Sequence, residues 1–152
     1  MKLLVCFDGS IQSYQAVEEA KKLAQTFEEK EITLIHVYPE KEASYWNAIN
    51  QKKATEPPKG LSDSERSQVE KFMRIKKMAR EVVEEFSGSN INVDKRIIKG
   101  DPVSKITEIA EKEKFDMIVI GNRGLGGLKK MMLGSISNGV IQQSKVNVLV
   151  VK

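Results

Sequence analysis

Cysteine and histidine are the scarcest reactive residues in this chain, with Cys6 and His36 the single copy of each. One cysteine closes no disulfide within the chain, and one of each leaves no Cys/His set from which a structural zinc site could be assembled. No apolar run approaches the ~20 residues of a membrane-spanning helix. The N-terminus enters Leu3-Leu4-Val5 without the basic region, apolar core and cleavage site of a secretory leader. A cytoplasmic protein with no membrane association is therefore expected. Aromatic residues make up 6% of the chain and are not interleaved with basic ones, so stacking on single-stranded nucleic acid has no platform. Neither charge sign dominates: 25 Lys and Arg stand against 21 Asp and Glu, a net charge of +4. The charges mix along runs such as Lys76-Lys77-Met78-Ala79-Arg80-Glu81, the signature of solvated helix faces rather than of a nucleic-acid stripe.

The 152 residues suit one domain, 1–152, which on folding buries roughly 68–70% of the surface of the unfolded chain. Lys2 to Phe7 reads as a strand buried on both faces and closed by Asp8-Gly9-Ser10. Ala16, Ala20, Leu23, Ala24 and Phe27 form the apolar stripe of a helix. Ile32 to Val37 is a second strand, where His36 is expected to be a packed, hydrogen-bonded side chain. From 38 to 60 periodicity disappears among Pro39, Tyr45, Trp46, Pro57, Pro58 and Gly60. A mobile insertion is expected there, with a lid over a ligand as the alternative.

Ser62 and Glu65 then make a capping box for a long helix with Val69, Phe72, Met73, Ala79, Val82, Val83 and Phe86 inward. After a third strand, Ile91 to Ile98, Asp101 is placed to cap and Pro102 to open the next helix. Its stripe is Val103, Ile106, Ile109 and Ala110. Phe115 to Ile120 is a fourth strand; a last helix carries Ile136, Val140 and Ile141; Val146 to Val151 is a fifth strand. Such alternation predicts an α/β fold, a parallel sheet covered by helices on both faces through right-handed crossovers.

The stretch with the most chemistry is Gly121-Asn122-Arg123-Gly124, nine residues of spacer, then Gly134-Ser135-Ile136-Ser137. It joins a strand to a helix start, where glycines let a ligand approach bare amides and the first helical N–H groups have no partner in their own helix. That geometry suits an anion, most often a phosphate. Ser135 and Ser137 add hydroxyls, and Arg123 a planar cationic fork. Two familiar phosphate loops are excluded. Gly126 is followed by Gly127-Leu128 rather than Lys-Ser/Thr, and Gly124-x-Gly126 leads to Lys129 where a dinucleotide loop needs glycine.

In a parallel sheet of this kind ligands sit beyond the carboxyl ends of the strands, where strand order reverses. The Asp8 turn and the Gly121 loop face one another there only in the order 3-2-1-4-5, so that order is predicted. A carboxylate 4 Å from a phosphate charge costs about 4 kcal/mol at an effective dielectric near 20. Asp8 is thus expected to bond a ribose or base group, or to share Mg²⁺ with the phosphates; a helix N-cap is the competing role.

The spacing G-2x-G-9x-G-S resembles the ATP-binding branch of the universal stress protein family, and Val5-Cys6-Phe7-Asp8-Gly9-Ser10, Leu34-Ile35-His36-Val37 and Gly100-Asp101-Pro102 extend the likeness along the chain. The resemblance implies an adenine nucleotide alpha hydrolase-like, Rossmann-like fold that binds ATP, and Mg²⁺ or Mn²⁺ is the divalent ion that the charge of Asp8 allows beside it. Asp8 and Val37 would hold the nucleoside, the Val37 backbone reading the adenine edge. Gly121, Arg123, Gly124, Gly134, Ser135, Ile136 and Ser137 would hold phosphates and ribose. It also implies a homodimer through antiparallel pairing of Val146 to Val151, an apolar edge strand that is a liability unless covered. Cys6 stands where the family commonly has proline or a small residue, and its place inside a strand argues against a nucleophile. The expected function is a nucleotide-dependent regulator in stress adaptation, acting through a protein partner. A slow ATPase or an adenylyl- or phosphoryl-transfer enzyme is the first alternative, and a nucleotide-free dimeric scaffold the second.

Overall fold

Leu3, Leu4 and Val5 are wholly buried, as are Ile118 and Val119, so both of their strands are shielded on two faces and belong in the middle of a sheet. The computed structural model, which describes residues 1–51, 56–124 and 133–152, bears this out. Strand β1 (Lys2–Cys6) lies between β2 (Glu31–Tyr38) and β4 (Met117–Gly121), with β3 (Asn92–Lys99) outside β2 and β5 (Asn147–Val151) outside β4. Every pair is parallel, with Leu4 opposite Thr33 on one side and Ile118 on the other. The order β3-β2-β1-β4-β5 is the predicted one, and its direction reverses between β1 and β4.

Strand alternation sorts the core into two layers. Leu3, Val5, Ile32, Leu34 and Val119 pack with Ala16, Val17 and Ala20 of α1 (Ile11–Ala24) and with Ala79 and Val82 of α3 (Asp63–Glu85). Leu4, Ile35, Ile118 and Ile120 face Ile106 and Ala110 of α4 (Pro102–Lys112) and Val140 of α5 (Ser135–Gln143). The Ser62–Glu65 capping box forms, and Asp101 caps α4 with Pro102 in its first turn. Three apolar residues, Phe27, Ile136 and Ile141, fall outside the expected stripes. The chain tightens after Ala24, with the Thr26 and Phe27 N–H groups bonding the Leu23 and Ala24 carbonyls, and this leaves Phe27 41% exposed. Ile136 and Ile141 are equally exposed, because the short α5 buries only Ser137 and Val140.

The larger correction concerns the segment after β2. Rather than irregular chain, Glu40–Glu42 is a 3₁₀ turn and Ala43–Gln51 is a helix, α2. Trp46 and Ile49 are buried against Val69 and Phe72 of α3 and against Tyr38. The Trp46 ring stacks on Phe72 at 4.9 Å and on Tyr38 at 5.1 Å. Two inward residues one turn apart are too few to register as a period, yet a fully buried tryptophan and isoleucine suffice to dock a nine-residue helix. Residues 52–55, within the expected insertion, lie outside the described residues.

Candidate functional site

Beyond the carboxyl ends of the strands, at the reversal between β1 and β4, lies a cavity of about 450 Å³. Asp8, Val37, Gly121, Arg123, Gly124, Gly134, Ser135, Ile136 and Ser137 all line it. The Asp8 turn and the glycine loop therefore meet at one site.

Asp8 follows β1 in a turn where its Oδ1 accepts from the Ser10 N–H at 3.0 Å. The cap of α1 is Ser10, whose hydroxyl accepts from the Ser13 N–H, so Asp8 does not serve as the N-cap. Its other oxygen, Oδ2, sits against Gly124 so closely that a Cβ there would overlap it. Gly121 is glycine for another reason. A Cβ would lie 2.7 Å from Gln12 Cβ and 2.9 Å from the Gln12 carbonyl oxygen, so the end of β4 needs a bare backbone to pass under α1. The 125–132 part of the loop lies outside the described residues.

Past the loop, Gly134 is the N-cap of α5 and makes no side-chain bond to the first turn; a helix start of this kind can take an anion or water. The Asn122 carbonyl fixes this entry, accepting from the Gly134 N–H at 2.8 Å and the Ser137 hydroxyl at 3.0 Å. Ser137 is 2% exposed, and its single hydroxyl proton is shared between the Asn122 and Gly134 carbonyls. It braces the loop from within, while Ser135 and Ile136 are the exposed members of the turn.

At the other end, β2 outruns β1. The Ile35 carbonyl accepts from the Phe7 N–H and the Tyr38 carbonyl from the Gly100 N–H on the opposite side. Strand alternation then turns the Val37 N–H and C=O toward the space β1 has left. Pro39, Glu42, Lys71, Ile75, Pro102 and Ile106 complete the wall with His36 and Cys6. His36 Nδ1 is 2.9 Å from the Phe7 carbonyl oxygen, and burial holds its pKa below the ordinary imidazole value, so the ring is neutral at pH 7. The packed, hydrogen-bonded histidine expected from sequence is what forms, although it also borders the cavity. Burial, reinforced by the Asp8 charge, pushes the Cys6 thiol up to about 12, so a thiolate nucleophile is absent at neutral pH. Sequence reasoning passed over Glu42 and Lys71, whose patterns resemble those of any solvated helix charge; only docking of the 3₁₀ turn and α3 brings them to the rim. Among the described residues no His, Cys, Asp and Glu group is assembled for a metal ion.

A cleft at the strand-order reversal, with the start of α5 on one side and an acidic turn on the other, is the site geometry of an open parallel α/β sheet. The family model for the universal stress protein family matches residues 1–152, and the chain belongs to that family. Universal stress protein YxiE of Bacillus subtilis is 32% identical over 99% of this chain and 98% of its own. The structure of MJ0577, a universal stress protein of Methanocaldococcus jannaschii, superposes with a TM-score of 0.75 at 29% identity, over 99% of this chain and 94% of the other. A universal stress protein solved in complex with cAMP shares the fold at 24% identity and a TM-score of 0.62, over 99% and 95% of the two chains.

Proposed function

We propose that this universal stress protein binds ATP, or another adenine nucleoside phosphate, in the cavity and acts as a nucleotide-dependent regulator. The observation that carries the reading is the packing of Gly124 on the Asp8 carboxylate in a cavity bordered by the uncapped first turn of α5. Phosphates belong with the α5 amides and Arg123, where partial positive charge gathers. The nucleoside belongs over Cys6, Ile35, Ile106 and Ile120, with its base edge at the Val37 backbone. The fold is one on which another family member holds cAMP.

Asp8 either bonds the nucleoside or holds Mg²⁺ or Mn²⁺ jointly with phosphate oxygens, since such ions take one or two carboxylates, phosphates and water. Hydrolysis is slow in this reading, because Asp8 is engaged by Ser10 and His36 stands on β2, two strands from the β4 loop that would hold the phosphates. Among the described residues β5 pairs on one side only, with β4, and a second copy pairs antiparallel with its other edge to form a homodimer. The protein works in the cytoplasm, where a protein partner reads the loaded state.

Calorimetric titration with ATP, with and without Mg²⁺, tests the reading. A saturable heat and a raised melting temperature are expected, and mass spectrometry of heat-released small molecules identifies the resident nucleotide. Neither heat nor thermal shift at millimolar ATP would sink it. Sedimentation velocity checks the dimer, and a monomer at tens of micromolar removes that part alone.

A further inference from the structure

His36 is the chain's only histidine, and its ring is oriented by a partner that can only accept. The Phe7 carbonyl oxygen lies 2.9 Å from Nδ1, so Nδ1 carries the proton and donates it, and in the neutral ring Nε2 is left as a bare acceptor. Among the described residues nothing bonds Nε2, and His36 is one of the residues lining the cavity. The Trp46 ring, 5.7 Å away between centroids, backs the imidazole from α2. β2 is two strands from β4, about 10 Å at the usual spacing, so the ring addresses the nucleoside half of a ligand rather than the phosphate end at α5.

We propose that His36 is a specificity-determining residue whose Nε2 accepts a hydrogen bond from an N–H or O–H on the nucleoside half of the bound nucleotide. This rests on the nucleotide reading above. The Asp8 carboxylate and His36 Nε2 then put acceptors at the β1 and β2 ends, beside the Lys71 ammonium, opposite donors at α5. A nucleotide can set an N–H or O–H donor against those acceptors, and a bare polyphosphate cannot. The donor is a ribose hydroxyl or an exocyclic amine.

His36→Asn separates the two jobs of the ring, because the Asn amide N–H can keep the bond to Phe7 but presents nothing in place of Nε2. With the wild type and this variant, dissociation constants are compared for ATP, 2′,3′-dideoxy-ATP, purine riboside triphosphate and inorganic triphosphate. The variant is expected to weaken ATP about 3- to 10-fold. The penalty should vanish for whichever analogue has lost the donor, dideoxy-ATP for a hydroxyl or purine riboside triphosphate for the amine, and be absent for triphosphate. Equal penalties across all four, or none for ATP, overturn the proposal while wild-type ATP binding leaves the nucleotide reading standing. No wild-type binding to any nucleotide overturns both.

Protonation gives a second readout. The groups acting on the ring are the Phe7 carbonyl and Asp8 after β1 and Lys71 on α3, with the Trp46 indole of α2 beside it, while Glu42 on the 3₁₀ turn and the neutral Cys6 thiol line the same cavity. The acceptor exists only in the neutral ring, so affinity should fall as pH drops through a His36 pKa below the ordinary value, an inflection missing from His36→Asn. Titration of the ligand phosphates is common to both proteins and cancels in the ratio. If the variant does not fold, the wild type still decides. Long-range ¹H–¹⁵N correlation of the one imidazole should find Nδ1 protonated and Nε2 bare, with Nε2 shifting on addition of ATP. A protonated Nε2 in the neutral ring, or no shift at saturation, rejects the proposal.

Discussion

At its α5 end the cavity is made of two short runs of one strand-to-helix connection, Arg123-Gly124 and Gly134 to Ser137; at its β2 end it is made of residues gathered from separate elements, His36, Glu42, Lys71 and Pro102. The first end works through backbone amides, so glycine positions and a helix start define it. The second depends on how α2, α3 and α4 pack, so its chemistry appears only when the helices are in place. One end is therefore sensitive to added atoms and the other to lost ones.

Truncation of the packed end should give the largest effect. Trp46→Ala empties the centre of the Tyr38–Trp46–Phe72 stack and is expected to cost about 3–5 kcal/mol in urea unfolding. Trp46→Phe should stay within about 1.5 kcal/mol, helped by removal of an indole N–H that is buried without a partner among the described residues. A Trp46→Ala loss below about 1 kcal/mol would mean that α2 is not held by its core face.

Adding one methyl group at two glycines of the other end should separate fold from ligand. Gly121→Ala drives a Cβ into the Gln12 backbone and is expected to cost about 1–3 kcal/mol of stability. Gly124→Ala meets only the tip of the Asp8 side chain, which can swing away, so the melting temperature should hardly move. ATP affinity should nonetheless drop about 10- to 100-fold as the carboxylate is displaced from its contact. Similar stability losses at both positions would erase the distinction.

Ser137→Ala removes a donor shared by the Asn122 and Gly134 carbonyls, each of which keeps a backbone partner, from Gly134 and Asn138 respectively. A loss of about 0.5–1.5 kcal/mol is expected, with weaker ATP binding following from a looser loop.

The smallest effect lies outside the cavity. Bonds from the Ser104 N–H and then the Ser104 hydroxyl hold the Asp101 carboxyl below its usual pKa. Because the folded pKa is depressed, this contribution is present above the unfolded carboxyl value and is lost as pH falls through the folded one. Asp101→Ala should remove that part of the acid dependence of the melting temperature and leave ATP affinity unchanged.

Legibility in the sequence followed the same division. The strand order could be deduced because two loops with unusual chemistry had to meet, and Gly124 against Asp8 is that meeting. The loop residues were readable because backbone function demands particular residue types at fixed spacing. Glu42 and Lys71 carried no such mark, and Trp46 with Ile49 formed too short a stripe to announce α2. Gly121 was read as a ligand-approach glycine, but its packing against Gln12 is a tertiary requirement that a single chain of letters does not encode. Ser137, expected to offer its hydroxyl to a ligand, also gives it to the Asn122 and Gly134 carbonyls, which its letter alone does not announce.

The bond from the Asn122 N–H to the Val151 carbonyl, 2.6 Å long, ties the last residue of the outermost strand to the residue whose own carbonyl fixes the start of α5. Mechanically the rim of the sheet and the mouth of the cleft share a tether one residue long. A partner that shifted that rim would act one bond away from the mouth, and by thermodynamic reciprocity any bias it gave would be returned by whatever fills the mouth.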